Sequence, residues 1–351
     1  MFKIEQTAYP VAQTILGELA TTHVAIAAAL DGTIDAELWL DQQAKPEIAL
    51  VANGDAYYLA GNASCHAETL AGIRQIIPDW AYLFVEEPWL AQLGQVWSNA
   101  FAIEHPRIRM GLPPNGSVKP FLLPAGFELA PIDRALFARA PGNLDTLEGE
   151  LEGWQSPEAF FEAAIGYCVL HNGIIVSHSL TDSVSGTRCE VGVGTVAGFR
   201  RLGLGRAAAS ATVAECVRRG HHAVEWHSHA SNRGSLAIAA AIGLVERDRH
   251  TALSCSLPAE NAGDLDPGHC LELAHHFEKA SEAIDWCRFH AAGAWALAGE
   301  HERALENARL LIEGGWEGEA EWLEEFWALR SLGDDPAFHT LLSRQRAQQD
   351  G

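Results

Sequence analysis

Residues 189–220 read CEVGVGTVAGFRRLGLGRAAASATVAECVRRG, and this stretch carries the clearest structural signal in the chain. An apolar run from Val191 to Val196 predicts a strand. A turn rich in glycine and arginine follows, and then a helix without proline or internal glycine from about Arg206 to Arg219. Gly220 ends this helix, as a glycine just beyond a helix C-terminus does. The stretch therefore predicts a strand, a glycine-rich turn and a helix in direct succession.

The turn has the composition of an anion site. Gly203 and Gly205 allow the backbone to approach a ligand closely or to take a positive φ angle. The first turn of the helix leaves unpaired N–H groups facing the turn, at the positive end of the helix dipole. Arg200, Arg201 and Arg206 add cationic side chains. These donors together suit a pyrophosphate.

Two motifs carry a resemblance to a known family. The turn resembles the acyl-CoA-binding motif of the GNAT superfamily of N-acetyltransferases, Arg/Gln-x-x-Gly-x-Gly/Ala, which is met here by Arg200, Gly203 and Gly205. GNAT proteins commonly follow their fifth strand with Asn-x-x-Ala/Ser, a helix and Gly-Phe. Here Asn232-Arg233-Gly234-Ser235 precedes Gly243-Leu244. Two motifs in this order are more specific than either motif alone.

The resemblance implies that acetyl-CoA is the acyl donor and assigns its contacts. The backbone at the end of the fourth strand would bind the pantetheine arm, and N–H groups of the turn would bind the pyrophosphate. Residues at the start of the later helix would lie along the distal side of the cofactor. The implied contacts are Thr195, Val196, Arg200, Arg201, Leu202, Gly203, Leu204, Gly205, Arg206, Asn232 and Ser235. We expect Gly203→Glu to block acetyl-CoA while the domain stays folded.

Proton transfer has several candidate residues. An ammonium acceptor must lose a proton before it attacks a thioester, which requires a base. The resemblance places Glu190 where family members often carry a carboxylate base, although a strand-end surface charge is the alternative. His227 and His229 are further candidates because imidazole transfers protons near neutral pH, but structural or solvated histidines are common. Ala239 stands where many members carry a tyrosine that protonates the leaving thiolate, so we expect water to take that role.

Composition restricts the function classes. The chain has 351 residues and a formal net charge of −22, which argues against a nucleic-acid or anionic-membrane partner. Seven scattered cysteines without a C-x-x-C pair indicate reduced thiols, and neither a signal core nor a bilayer-spanning run is present, so we expect a cytoplasmic protein. No metal site is expected, since the spacing of the histidines from 221 to 229 and Cys189 matches no closed zinc pattern.

The expected fold class is α+β, with a GNAT fold in which a mixed, mostly antiparallel sheet is flanked by helices. Two linkers rich in proline and glycine divide the chain. We predict an N-terminal α+β accessory domain at 1–115, a GNAT acetyltransferase domain at 116–257 and a helical C-terminal region at 258–351 that resembles tetratricopeptide repeats. The first region resembles the N-terminal extension of one GNAT subfamily, and its residues Val11 to Leu30 predict a helix.

The function implied by the resemblance is acetyl-CoA-dependent N-acetylation of a primary amine on a small molecule, by direct attack in a ternary complex. Two alternatives stay open. One is a non-catalytic acyl-CoA sensor or scaffold, which the loss of the usual tyrosine would suit. The other is a protein acetyltransferase that recruits a protein partner through the C-terminal helices. The sequence does not distinguish the acceptors, because acceptor pockets come from variable regions.

Overall fold

The computed structural model describes residues 1–349. The chain forms two compact units. The first comprises Met1–Ile77, Ala81–Trp97 and Arg107–Ala252, and the second comprises Pro78–Trp80, Ser98–Pro106 and the chain from Leu253 onward. The regions predicted as an accessory domain and an acetyltransferase domain thus fall mostly within the first unit, and their functional division stays a prediction.

Twelve strands form one mixed sheet. In chain order they are β1 (Phe2–Ile4), β2 (Glu37–Leu40), β3 (Ile48–Asn53), β4 (Ala56–Gly61), β5 (Tyr82–Val85), β6 (Ile103–Gly111), β7 (Glu128–Pro131), β8 (Gly166–His171), β9 (Ile174–Ser185), β10 (Arg188–Thr195), β11 (Ala223–His229) and β12 (Val245–Ser254). Across the sheet the order is β1-β2-β3-β4-β5-β12-β6-β11-β10-β9-β8-β7. Because β6 of the N-terminal region pairs with β11, the two regions share this sheet.

Helices accompany the strands throughout, and the α+β class is confirmed. They are α1 (Gly17–Thr22), α2 (Val24–Asp31), α3 (Ala67–Arg74), α4 (Glu87–Leu90), α5 (Leu93–Val96), α6 (Arg134–Arg139), α7 (Asp145–Leu151), α8 (Pro157–Ala163), α9 (Leu204–Arg218), α10 (Arg233–Ile242), α11 (Pro267–Ala280), α12 (Cys287–Leu297), α13 (His301–Glu313), α14 (Ala320–Glu325) and α15 (Pro336–Gln349). Short 3-10 helices add Gln6–Ala12, Ala197–Phe199 and Trp327–Leu332.

The long helix predicted at Val11 to Leu30 is wrong in one respect that matters for the site. The chain breaks at His23, which has extended backbone angles (φ −111°, ψ 114°) between α1 and α2. The carbonyl oxygens of Ala20 and Thr21 accept hydrogen bonds from the guanidinium of Arg188, at 2.6 and 2.9 Å. Tertiary hydrogen bonds therefore capture the end of α1 and compete with its continuation into α2.

Local sequence explains the elements around the centre of the sheet. Asn172 and Gly173 both have positive φ angles, which is the geometry of a tight hairpin turn between β8 and β9. Asn232 caps α10 by accepting the N–H of Ser235. Helix α9 packs on the sheet through buried alanines, whose small side chains allow a close approach.

The second unit contains α11 to α15. Phe277 and Trp295 are buried in its core, where the thiols of Cys255 and Cys287 lie 3.1 Å apart. The predicted likeness to tetratricopeptide repeats stays a prediction. Within residues 1–349, no helix combines the length and the apolar character needed to cross a bilayer.

Candidate active site

Strands β10 and β11 separate in the middle of the sheet. Their parallel pairing covers Arg188–Glu190 against Ala223–Glu225. Beyond these residues, β10 continues to Thr195 along β9, and β11 continues to His229 along β6. An opening between the two strands therefore begins just beyond Glu190.

One edge of β10 faces this opening. Val196 donates its N–H to the carbonyl of Val176 beside β9, over 3.0 Å. Residues of an antiparallel strand alternate in the side to which they direct their backbone groups, so Val191, Val193 and Thr195 direct theirs away from β9. The carbonyl of Val196 in turn accepts the N–H of Phe199. Both backbone groups of Val196 thus have internal partners, and the Thr195 carbonyl accepts from Arg200. The backbone of Val193 and the N–H of Thr195 are therefore the better-placed groups for an extended ligand.

The turn after β10 brings the start of α9 against that edge. Gly203, with φ +82°, precedes the helix and has no side chain to cap it, so the first N–H groups of α9 face the turn. A Cβ atom on Gly205 would lie 3.0 Å from Thr195 Oγ1 and 3.3 Å from Val193 Cγ2. A Cβ atom on Gly203 would lie 2.8 Å from the ring of Phe121. Gly203→Glu would therefore strain the fold as well as block the turn, which corrects the expectation of an intact domain.

The three arginines of the turn differ in their surroundings. Arg200 donates its Nε–H to the carbonyl of Thr195, over 3.2 Å. Arg201 is exposed and has a positive φ of 64°, which is uncommon for a residue other than glycine. The guanidinium of Arg206 lies 5.0 Å from the ring of Phe121, and its buried Nε has no hydrogen-bond partner within residues 1–349. Leu202, between Arg201 and Gly203, is half exposed, and Leu204 is buried.

Asn232 and Ser235 have structural partners. The Asn232 side chain caps α10, and the Ser235 hydroxyl accepts the indole N–H of Trp226 over 2.9 Å. Asn232 therefore stabilises the start of α10, and Ser235 joins α10 to β11, independently of any contact with a ligand.

A cavity of about 340 Å³ lies on the other face of the sheet. Cys189 and Val191 of β10 are buried with residues of α9, whereas Glu190, between them, lines the cavity. The cavity thus adjoins the point where β10 and β11 separate, on the face opposite α9. Its polar lining comprises His23, Asn53, Asp55, Tyr58, Tyr82, Arg107, Asp182, Ser183, Glu190, His227, His229 and His250.

A bulge directs a second carboxylate to this cavity. Ser183 pairs with Glu190 and Thr181 pairs with Val191, so Asp182 of β9 has no register partner in β10. Bulges of this kind redirect a side chain and are common next to active sites. A Cβ atom on Gly192 would lie 2.8 Å from the Asp182 carboxyl, so glycine leaves the room that this carboxyl occupies. Desolvation by the surrounding protein raises the pKa of Asp182 above its ordinary value, and the negative charge of Glu190 raises it further. Water still reaches the side chain from the cavity.

An ion network forms one wall of the site. Glu225 of β11 accepts from Arg109 of β6 at 3.2 Å and from Arg188 of β10 at 3.1 Å, and Arg109 also pairs with Asp248 of β12. Burial would raise the pKa of Glu225, but His227, Arg188 and Arg109 outweigh burial and hold it below the ordinary value. The network joins five elements, since Arg109 and Arg188 also bind carbonyls at the end of α1.

Three histidines meet beside this network. His23 lies between α1 and α2, His227 on β11 and His250 on β12, and their rings are in mutual contact. Burial, with the neighbouring His227, lowers the pKa of His23 well below its ordinary value and that of His250 to about 3. His23 and His250 are therefore neutral at physiological pH. His229 lies two residues further along β11 and also lines the cavity.

The comparison with known proteins decides the family. A family model described as GNAT acetyltransferase matches residues 17–253. The chain belongs to the GNAT acetyltransferase family. The uncharacterized N-acetyltransferase YdfB of Bacillus subtilis (strain 168) is 24% identical to it over 222 residues, which cover 61% of this chain and 83% of that protein.

The fold of this GNAT acetyltransferase is confirmed by a solved structure. The structure of a GCN5-related N-acetyltransferase-like protein from Streptococcus suis superposes with a TM-score of 0.54 and 21% sequence identity. It covers 70% of this chain and 96% of its own. The GNAT fold and the N-acetyltransferase class predicted from the two motifs are thus confirmed, and GNAT enzymes generally use acetyl-CoA.

The residues predicted as catalytic lie together in this GNAT acetyltransferase. Glu190, His227 and His229 line one cavity, although they belong to different strands. Ala239, which takes the place of the usual tyrosine, does not line this cavity. It is fully buried in the core beside the sheet, with Trp226 and Leu244. No side chain at position 239 reaches the cavity from there without repacking the core.

Sequence reasoning missed the other side of the cavity. His23, Asp55, Tyr58 and His250 belong to a region without a motif or to the last strand, and Asp182 depends on a bulge that no local pattern announces. The Asn53-Gly54 turn does indicate that Asp55 and Tyr58 lie near the end of a strand, at the edge of a sheet. Nothing in the chain order indicates that this hairpin lies beside the centre of the acetyltransferase sheet.

Proposed function

We propose that this enzyme transfers the acetyl group of acetyl-CoA to a primary amine of a small molecule by direct attack in a ternary complex. The observation that carries the proposal is the opening between β10 and β11, which begins at Glu190 beside an acidic cavity. An extended donor on one side of the sheet and an amine on the other would meet at this opening.

The donor side fits the anionic and amide groups of acetyl-CoA. The uncapped first turn of α9 and Arg206 supply donors for a pyrophosphate, and Gly205 brings these donors close to the edge of β10. Val193 and Thr195 supply backbone groups for the amides of the pantetheine arm. The thioester would then lie toward Val191, next to the cavity.

The acceptor side fits a small cation. A volume of about 340 Å³ is at the lower end of ligand-site volumes and suits a small molecule. Asp182 and Glu190 flank the point where the strands separate, and Asp55 adds a third carboxyl. Tyr58, Tyr82 and Phe84 line the opposite wall with aromatic faces, which favour an ammonium or its alkyl neighbour.

The chemistry follows from this placement. The ammonium gives a proton to Glu190, directly or through one water, and the free amine attacks the thioester carbonyl carbon. A C–N bond forms and the C–S bond breaks. The second proton of the amine nitrogen passes through water to the departing thiolate, so CoA leaves as the thiol. The carboxyl of Asp182 lines the same cavity and would hold the ammonium beside Glu190. His229 is the alternative base, since it lines the same cavity.

The test is release of CoA thiol with a panel of amines that spans amino acids, polyamines, aminoglycosides and peptides. We expect Glu190→Gln to lower kcat by roughly 10²- to 10⁴-fold on any accepted amine, the usual contribution of a general base. Glu162→Gln removes an exposed carboxylate of α8 and serves as the matched control. The base assignment fails if Glu190→Gln keeps the wild-type rate while His229→Asn loses it.

A second result would refute the proposed reaction as a whole. Saturable binding of acetyl-CoA without thiol release across the whole panel would support a non-catalytic acyl-CoA sensor and would refute small-amine acetylation.

A further inference from the structure

Three imidazole rings meet at one wall of the cavity, and they come from distant parts of the chain. The ring centroids of His23 and His227 are 5.5 Å apart, those of His23 and His250 are 4.9 Å apart, and those of His227 and His250 are 5.1 Å apart. One ring nitrogen from each residue lies within 4.8 Å of the other two. All three side chains line the cavity, so one side of the cluster is open to it.

The three side chains are mostly buried, and three of their ring nitrogens lack a hydrogen-bond partner within residues 1–349. His23 is 5% exposed, and the side chains of His227 and His250 are 4% and 15% exposed. Nε2 of His227 and both ring nitrogens of His250 have no hydrogen-bond partner within residues 1–349. Buried polar atoms without partners are few in native proteins, and an ion is one of the recognised reasons for them.

The geometry is close to that of a three-histidine metal centre. Zinc binds imidazole nitrogen at about 2.0–2.1 Å, and three imidazoles that radiate from one tetrahedral ion have ring centroids about 5 Å apart. We propose that His23, His227 and His250 bind one divalent transition-metal ion, with Zn(II) as the expected ion and its fourth position open to the cavity. Three nitrogen ligands with an open fourth position are typical of catalytic zinc sites.

The surroundings support the ligands. Glu225 Oε2 lies 3.7 Å from Nε2 of His227, and Asp248 Oδ1 lies 4.0 Å from Nδ1 of His250. These carboxylates place negative charge near the cluster, which favours a cation there. Arg109 is paired with both of these carboxylates, so its charge is offset where a cation would bind. Arg107 lines the cavity and opposes a cation, and the carboxylates of Asp55 and Glu190 counter it.

The occupied site would change what the cavity recognises. A metal with an open position takes water or a donor atom of the acceptor, such as a carboxylate or a second amine. The metal would therefore select acceptors that carry such a group near the reacting amine. The binding step itself is independent of acetyl transfer and can be tested without either substrate.

The experiment is equilibrium dialysis of the chelator-treated full-length protein against Zn(II), with metal content measured by mass spectrometry. We expect one equivalent to bind with a Kd below about 1 μM. His23→Ala and His250→Ala should each weaken binding by 100-fold or more. His222→Ala, which removes an exposed histidine just before β11, should leave binding unchanged.

Substitution with Co(II) gives a second readout. Tetrahedral nitrogen ligation produces intense visible absorption, which should appear in the wild type and in His222→Ala and be absent from His250→Ala. Folding of each variant is checked by circular dichroism in the presence of chelator. If His23→Ala does not fold, His250→Gln and the wild-type stoichiometry decide the question. Absence of stoichiometric binding by the wild type, or unchanged binding in both folded variants, would overturn the proposal and identify the three rings as an aromatic packing cluster only.

Discussion

Arg206→Met tests the assignment of the turn most directly. Arg206 lies in the first turn of α9, is half-buried and stacks on Phe121 at 5.0 Å. Methionine keeps an unbranched stem against Phe121 and removes the charge. A hydrogen bond to a charged group is worth about 1.5–3 kcal/mol, so we expect acetyl-CoA affinity to fall roughly 10- to 100-fold.

Arg201→Met is the matched control. Arg201 is exposed and keeps a positive φ of 64° in both forms, so the substitution changes charge without changing the backbone demand. Exposed charges contribute about 0–1 kcal/mol, which limits the loss to about fivefold. The difference in acetyl-CoA affinity between the two variants therefore measures how much more a half-buried arginine contributes than an exposed one.

The assay compares two donors by titration calorimetry and by KM. Acetyl-pantetheine has the thioester and the pantetheine arm but lacks the pyrophosphate. If Arg206 binds the pyrophosphate, Arg206→Met should weaken acetyl-CoA and leave acetyl-pantetheine unchanged. An equal loss for both donors, or no loss for either, would refute the placement of the pyrophosphate at α9.

Three further outcomes concern Asp182, Glu225 and Ala239. Asp182 has a higher pKa in the folded than in the unfolded protein, so its ionisation lowers stability as pH rises. Asp182→Asn removes this ionisation and should raise Tm at pH 7.5, and the gain should shrink toward pH 4. Glu225 has a lowered pKa, so it contributes stability that is lost as pH falls through its folded pKa. Glu225→Gln leaves Arg109 and Arg188 without their partner and should lower the free energy of unfolding by roughly 3–5 kcal/mol at pH 7.5, measured by denaturant unfolding. Ala239→Tyr should destabilise by about 1–3 kcal/mol in the same measurement and should not raise kcat, because position 239 is in the core; a faster enzyme would contradict this.

The donor side of the site could be predicted from the sequence because it is local. The glycine-rich turn, the strand before it and the helix after it are contiguous, and Asn232 caps the later helix by a contact three residues away. Such features depend on φ angles, caps and short-range hydrogen bonds, which residue types indicate directly. The contact of Val196 with the pantetheine arm stays a prediction, and the hydrogen bonds that β9 already makes favour Val193 for this role.

The acceptor side could not be predicted, because its residues meet only through the sheet. β6 lies between β12 and β11, which brings the N-terminal region beside the acetyltransferase strands. This placement depends on pairings such as His227 with Arg109, between residues that are far apart in the chain. Periodicity predicts that β6 is a strand but does not indicate its neighbours.

The break at His23 shows how the N-terminal region acquires its place in the site. Arg109 and Arg188 each donate hydrogen bonds both to Glu225 and to a carbonyl of α1. The same arginines thus fix the wall of the cavity and end the helix that precedes His23. A substitution that frees the end of α1 would displace His23 without touching the turn that we propose binds the donor. Changes in the N-terminal region should therefore alter the choice of acceptor before they alter the use of acetyl-CoA, since only the acceptor cavity is built from both regions.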